Sequence, residues 1–353
     1  MRLRYKSRTK LISQPARGFT LLELLVCCVI LIMVLGLVVN MMGSASNIWI
    51  RHRNQAKAFE SANSAFAVLT KTVSQALLNT YWEVRGSKYA RASELHFVMG
   101  PASGPWLTPV AGVDASRADL LAGNAANFPG DAVFFQAPLG RDTDNSLKRL
   151  PSLLNGTGYF ICFSDAPDVP QILKSLNIVK SRYRYRLYQW MQPTENLMVY
   201  SGSSSTPAAE RTWFHDDFAN FNPVSSPVKN ANVFAENVLG VILIAEYPDA
   251  AGNMVYSYAY DSRSLVEEAT LNQLPPKIRV FMVVIDEASA SRLADRYGTS
   301  PPDIYPPVGR FQDAANFKDD MSNWEAKLKA TTPRVDYRIL SATVSVQNAK
   351  WSL

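Results

Sequence analysis

The sequence predicts an α+β protein, in which a long N-terminal α-helical spine packs on a β-rich antiparallel globular domain. The apolar run at 19–42 is long enough to cross a membrane, and residues 47–82 include neither Gly nor Pro. Phe59, Phe66 and Val73 lie on one face of a helix. We therefore expect a continuous helix over 19–82 whose first half, about 19–42, is transmembrane.

Beyond Arg85 the sequence is rich in short apolar or alternating runs, which predict strands of antiparallel sheets. Stretches rich in Pro, Gly, Ser and Asn at 100–130, 201–230 and 298–310 predict surface loops. The predicted strands are 94–99, 131–137, 158–163, 183–190, 238–247, 254–261, 277–285 and 337–347.

Two helices are expected late in the chain. Asp286 is placed to cap a helix over 287–297, with Gly298 just past its end. Apolar residues recurring from Phe317 predict a second helix that ends before Pro333. We treat residues 85–353 as a β-rich domain that follows the helix.

The first 18 residues form a basic leader. Six basic residues and no acid lie there, whereas Arg51, Arg53 and Lys57 follow the apolar run. Because the more basic flank stays cytoplasmic, we expect a single-pass membrane protein with a cytoplasmic N-terminus and with residues 85–353 outside the cytoplasm. The bases of the leader are Arg2, Arg4, Lys6, Arg8, Lys10 and Arg17.

The rest of the chain is formally neutral. The sequence has 36 basic and 30 acidic residues, and six of the basic ones belong to the leader. Nucleic-acid binding is therefore not expected. Cys27 and Cys28 lie in the apolar run and Cys162 in a predicted strand, so we expect packing instead of disulfides to stabilise the domain.

Glu23 is the only charged residue between Arg17 and Arg51. A carboxylate inside a bilayer costs about 2.5–3.5 kcal/mol, whereas each Leu, Ile, Val or Phe contributes about −0.3 to −0.6 kcal/mol. The apolar residues after Glu23 outweigh its cost, so the segment should insert. Glu23 should then require a cationic partner.

The hexapeptide at 18–23, Gly-Phe-Thr-Leu-Leu-Glu, resembles the class III signal of type IV pilins and type II secretion pseudopilins. The resemblance implies that a prepilin peptidase cleaves after Gly18 and methylates the new N-terminal residue, Phe19. It also implies that Glu23 pairs with the N-terminal amine of a neighbouring subunit during assembly. Prepilin peptidase, other pilin-like subunits and membrane lipid are the implied partners.

Two other interpretations of this segment stay open. Thr20 and Glu23 also fit a helix capping box, which is compatible with an assembly role. A secretory signal peptide cleaved near the small residues at 44–46 is the second. Its apolar region is typically about 7–15 residues long, which is shorter than the run in this chain.

A second resemblance covers the C-terminal two thirds. Residues 274–280, which follow two predicted strands, are similar in order to the end of J-type minor pseudopilins. Residues 192–195, 284–290 and 348–352 look like the prepilin-like cassette proteins of Verrucomicrobia, in particular cassette protein C. These resemblances imply a minor subunit of a pseudopilus-like set, without an established substrate.

Residues 142–146 alternate oxygen-bearing side chains as calcium loops do, with Asp142 and Asp144 as the candidate ligands. Leu147 and Leu153 stand where an EF-hand loop needs Gly and Glu, so a polar turn is the alternative. Some pseudopilins bind calcium, and we assign no other metal.

Two further clusters could suggest a chemical role. Residues 182–187 alternate arginines with tyrosines and predict an amphipathic strand with a cationic outer face. His215, followed by two aspartates, could be a metal site or a loop cluster. The sequence has no hydrolase or nucleotide-binding signature. We expect no enzymatic activity and no cofactor.

The sequence thus favours a minor pseudopilin-like structural subunit that assembles into a type II secretion or type IV pilus-like filament. The alternative is a membrane-anchored periplasmic binding protein, a receptor for DNA or cargo, that forms no filament.

Overall fold

The computed structural model describes residues 20–85, 88–103, 126–143, 150, 152–166, 176, 178, 181–200, 213–214, 217–218, 229–263, 269–307 and 309–351. The chain divides into two units, Met1–Arg53 and Asn54–Leu353. The first contains the apolar part of a long helix, and the second contains the end of that helix and all of the described strands.

The long helix, α1, covers Leu21–Ser74 and runs through Gly36 and Gly43 without interruption. Its predicted end at residue 82 is wrong. The apolar spacing continues to Leu77, but the Leu77 N–H donates to the carbonyl of Gln136 at 2.9 Å instead of continuing the helix. The chain then enters a strand, because tertiary hydrogen bonds outweigh the weak helical preference there.

Every described strand pair is antiparallel. A six-stranded sheet has the order β10-β3-β4-β5-β6-β7, a four-stranded sheet has the order β12-β11-β8-β9, and β1 pairs with β2. The strands are β1 Tyr81–Arg85, β2 Lys88–Ala92, β3 Val98–Pro101, β4 Asp131–Pro138, β5 Leu154–Ser164, β6 Arg184–Gln192, β7 Ala231–Glu236, β8 Val238–Pro248, β9 Met254–Ser257, β10 Tyr260–Asp261, β11 Lys277–Ile285 and β12 Tyr337–Ser345.

Most of the predicted strands are present within a few residues. The predicted strand at 94–99 is displaced toward the C-terminus as β3. The predicted strand at 254–261 forms β9 and β10, which belong to different sheets. A bend separates them, because the Ser257 hydroxyl bonds both the N–H and the carbonyl of Ala259. Strands β1, β2 and β7 were not predicted from the sequence.

The main core surrounds the last turns of α1. Ala62, Phe66, Leu69 and Val73 are buried there, as the spacing predicts, together with side chains from both large sheets. Each fully buried aliphatic side chain stabilises the fold by about 1.5–3 kcal/mol. The end of α1 therefore joins the two sheets in one core.

The opposite face of the six-stranded sheet is buried as well. Trp213, Phe214 and Phe218 cover Phe134 of β4 and Trp190 of β6. A surface loop was predicted over 201–230. The prediction is wrong at the described residues Trp213, Phe214 and Phe218, which are buried. Burial on both faces explains why β4 and β5 are almost wholly enclosed.

Both late helices are confirmed. Helix α2 covers Glu287–Tyr297; the carboxylate of Asp286 accepts the N–H of Ser289 at 2.9 Å, and Gly298 follows with a φ of 58°. Helix α3 covers Phe317–Ala330. The indole of its buried Trp324 donates to the carbonyl of Ile304 at 2.9 Å.

The two sheets also meet at Asp131, the first residue of β4. Its Oδ2 accepts the N–H of Leu243 in β8 at 2.6 Å. Next to it, Gly130 has a φ of 76°, and a Cβ there would lie 2.6 Å from the carbonyl oxygen of Val241. Burial raises the pKa of Asp131 to about 8, although the bond from Leu243 acts to lower it.

This burial predicts a pH-dependent stability. An aspartate titrates near pH 3.9 in the unfolded chain, so above that value the folded state keeps a proton that the unfolded state has released. The stabilisation is complete below about pH 4 and falls as the pH rises toward 8, by at most about 1.4 kcal/mol per pH unit. Asp131→Asn should remove this slope.

Urea unfolding of the detergent-solubilised full chain, followed by tryptophan fluorescence at pH 5, 6.5 and 8, measures the effect. Parallel pH dependences for the wild-type chain and Asp131→Asn would show that Asp131 is ionised in the folded state.

Candidate membrane anchor and assembly site

The first part of α1 is an apolar surface with no protein partner in the described structure. Leu21–Gly43 is long and apolar enough to cross a membrane, and every side chain in it is exposed. Its 23 residues extend about 34 Å at 1.5 Å per residue, against about 30 Å of bilayer hydrocarbon. The segment fits a membrane anchor by its length and composition.

A reciprocal capping box starts the helix. The hydroxyl of Thr20 accepts the N–H of Glu23 at 3.3 Å, and Oε2 of Glu23 accepts both the N–H and the hydroxyl of Thr20 at 3.0 Å. Thr at the N-cap and Glu three residues later satisfy each other's backbone donors. The capping role proposed from the sequence is thus confirmed.

The capping box does not neutralise Glu23. Both groups that bond its Oε2 are neutral, and Oε1 has no hydrogen bond to any described residue. The helix N-terminus contributes only a partial positive charge. The arrangement therefore presents an exposed carboxylate, without a cationic partner among the described residues, at the start of an apolar helix.

Glu23 is the one residue of the predicted processing and assembly site that the structure describes. Gly18 and Phe19 lie outside the described residues, and their roles remain predictions. Cys27 and Cys28 follow Glu23 on the same helix as exposed free cysteines.

The predicted cationic face of β6 is wrong. Arg184 and Arg186 are buried, because Glu287 of α2 and Glu236 of β7 cover that end of the strand. Both terminal nitrogens of Arg184 donate to Glu287 at 2.7 Å, and Nε of Arg186 donates to Glu236 at 3.1 Å. Burial acts to raise the pKa of Glu287, but the hydrogen bonds from Arg184 and Asn237, together with the charges of the nearby arginines, lower that pKa below its usual value. These arginines hold the fold together and are not available to phosphates.

Only one of the two calcium candidates is described by the structure. Asp142 is half-buried, and its enclosed Oδ2 has no hydrogen bond to a described residue. Asp144 lies outside the described residues. Among the residues that are described, no three His, Cys, Asp or Glu side chains are grouped to hold a metal ion. Calcium binding at this turn stays a prediction.

The cluster at His215 is described only at its last residue, Asp217. Its Oδ2 accepts the indole N–H of Trp190 at 2.8 Å and the amide of Asn230 at 3.0 Å. This carboxylate anchors the aromatic cluster. His215 and Asp216 are outside the described residues.

The capping box leads to a prediction for the start of α1. Thr20→Ala removes the hydroxyl that bonds Glu23, and such a loss costs about 1 kcal/mol of local helix stability. We expect amide hydrogen exchange at Glu23 and Leu24, whose N–H groups bond Thr20, to become roughly fivefold faster in detergent, whereas Thr20→Ser should behave as the wild type. Equal rates in all three proteins would contradict the capping geometry.

Comparisons with known proteins agree with this geometry at the N-terminus. The family described as the prokaryotic N-terminal methylation motif matches residues 14–39. No curated protein sequence matches the chain. Among solved structures, the chain is similar to the type IV-like pilin TTHA1219 from Thermus thermophilus, with 10% identity, 82% of this chain and 97% of that chain covered, and a TM-score of 0.29. The chain therefore carries a prokaryotic N-terminal methylation motif, followed by an apolar helix long enough to cross a membrane and a β-rich antiparallel domain.

Proposed function

We propose that this chain is a pilin-like structural subunit of a filament. A prepilin peptidase cleaves it after Gly18 and methylates Phe19, and Glu23 then pairs with the N-terminal amine of a neighbouring subunit. The observation that carries the proposal is the methylation motif at 14–39, which leads directly into an exposed apolar helix with a single acid.

Charge balance supports the role of Glu23. Before processing, the nearest base in the sequence is Arg17, and cleavage after Gly18 removes it with the rest of the leader. The same cleavage creates an amine at Phe19, so each mature chain carries one positive and one negative group at this end. An ion pair between chains then compensates a carboxylate that costs about 2.5–3.5 kcal/mol in lipid.

The proposal places the subunit in the inner membrane with its N-terminus on the cytoplasmic side. The basic leader and the smaller number of bases after the apolar run support that orientation. The domain over 85–353 is then periplasmic, and it contacts other subunits or cargo.

The finer assignment is a minor pseudopilin of a type II secretion or type IV pilus-like system. Its support is the sequence resemblance to J-type pseudopilins and to cassette protein C. The segment at 274–280 leads into β11, and the segment at 284–290 contains the end of β11 and the start of α2.

Processing is tested by determining the N-terminus of the membrane-bound protein by mass spectrometry. We expect a chain that begins with N-methylated Phe19. A start near Asn47 would instead identify a secretory signal peptide, and an intact Met1 would leave an anchored domain that is not processed.

Assembly is tested with the cysteines of α1. Disulfides between sister helices through Cys27 and Cys28 should form on oxidation of membranes, and Glu23→Gln should lower their yield at least tenfold. Cys162 should not react, because it is buried and burial raises the pKa of its thiol.

Glu23→Asp, which keeps the charge, and the double change of Cys27 and Cys28 to Ser are the matched controls. Membrane insertion should be equal in all variants. Unchanged crosslinking in Glu23→Gln would reject the role of Glu23. Absence of the crosslink in the unchanged chain would leave the membrane-anchored receptor as the function.

A further inference from the structure

Strand β12 is an unprotected edge of the four-stranded sheet. It pairs with β11 over nine consecutive residue pairs, from Lys277 with Ser345 to Ile285 with Tyr337, without a break in register. Only one side of β12 is occupied, because β11 lies between β12 and β8.

The hydrogen-bond phase of the ladder shows which backbone groups point away from β11. The N–H of Val346 donates to the carbonyl of Pro276 at 3.1 Å, so this pair is of the hydrogen-bonded type. Hydrogen-bonded and non-bonded pairs alternate in antiparallel sheets. The N–H of Ile285 bonds Asn237 on the β8 side, which agrees with this phase. The residues whose N–H and C=O groups face outward are therefore Tyr337, Ile339, Ser341, Thr343 and Ser345.

These outward groups have no protein partner. Within the part of the chain that the structure describes, no backbone or side-chain hydrogen bond reaches the main chain of these five residues beyond the ladder to β11. Ser341, Thr343 and Ser345 are also exposed. The edge offers about five outward N–H and C=O pairs, with a repeat of about 6.8 Å along the strand.

The other edges of the large sheets are protected, and β12 is not. Strands β10 and β9 have only two and four residues, and β7 has a bulge in its pairing with β6. Natural edges are kept short, bulged, charged or proline-containing, because an open edge pairs with other chains. Residues 339–346 include no charge, no Pro and no Gly, and they are mainly β-branched, small or aliphatic.

We infer that the outer edge of β12 binds an extended, uncharged segment of a neighbouring subunit, which adds to the four-stranded sheet as a fifth strand. The occupant is a polypeptide, because only an extended peptide matches alternating N–H and C=O groups at this repeat. The identification of a neighbouring pilin-like subunit as the source of this peptide rests on the proposed function. The observation that the edge of β12 is open does not rest on it.

Ser341→Pro separates edge pairing from folding. The N–H of Ser341 points outward, so proline removes a donor from the edge but none from the ladder to β11. Ser341→Ala is the matched control. Both are made in the full chain, expressed in membranes with its partner subunits, with a photo-crosslinking amino acid at Thr343.

We expect a crosslink from Thr343 to a neighbouring subunit in the Ser341→Ala chain, reduced at least tenfold in Ser341→Pro. In the chain without substitutions, amide exchange at Ser341 and Ser345 should slow at least tenfold on assembly. If Ser341→Pro lowers the thermal midpoint of the isolated chain, Ser341→Lys, which keeps the N–H and adds a charge to the edge, replaces it with the same expectation.

The crosslink through Cys27 and Cys28 distinguishes the two proposals. If that crosslink forms while Thr343 gives none, or while its crosslink survives both substitutions, the edge inference is overturned and the proposed function stands. If neither crosslink forms and amide exchange at β12 is the same in membranes and in detergent, the proposed function and the edge inference are both rejected.

Discussion

The packing of one helical stripe into a core that both large sheets share is the constraint on which the rest of the domain depends. Leu69 of α1 and Ala76, which follows the end of α1, are completely buried in this core. The hydrogen bonds from Leu77 to Gln136 and from Gln347 to Ser74 then attach the end of the helix to one sheet and to the segment after β12. Because the same stripe completes both sheets, a change there affects the whole domain.

Polar groups inside the domain lie where these layers meet. Asp131 connects β4 to β8, and Arg184 connects β6 to α2 through Glu287. A buried polar group costs little when it is hydrogen-bonded and much when its partner is removed. These contacts therefore fix how the layers join, whereas burial of apolar area supplies most of the stability.

The sequence predicts elements whose local signals agree with their packing. Helix α2 is one: its cap, its apolar face and its terminal Gly298 point to the same boundaries. The end of α1 was misjudged because the helical spacing persists to Leu77 although the backbone bonds Gln136 instead. The buried arginines of β6 were missed because their acids are about 50 and 100 residues away in sequence. In the proposed assembly site, the capping pair of Glu23 and Thr20 was identifiable because both residues lie within one helical turn.

Membrane anchoring and edge pairing are physically linked. A partner strand that meets three outward residues of β12 would form about six main-chain hydrogen bonds, each worth roughly 1 kcal/mol net. Bringing two free proteins together costs about 4–15 kcal/mol, so this edge alone holds them weakly at best. Under the proposed function, anchored helices confine subunits to one bilayer and raise their effective concentration. The open edge is then too weak to pair dispersed chains, but it contributes to the assembly that we propose for the apolar helix and Glu23.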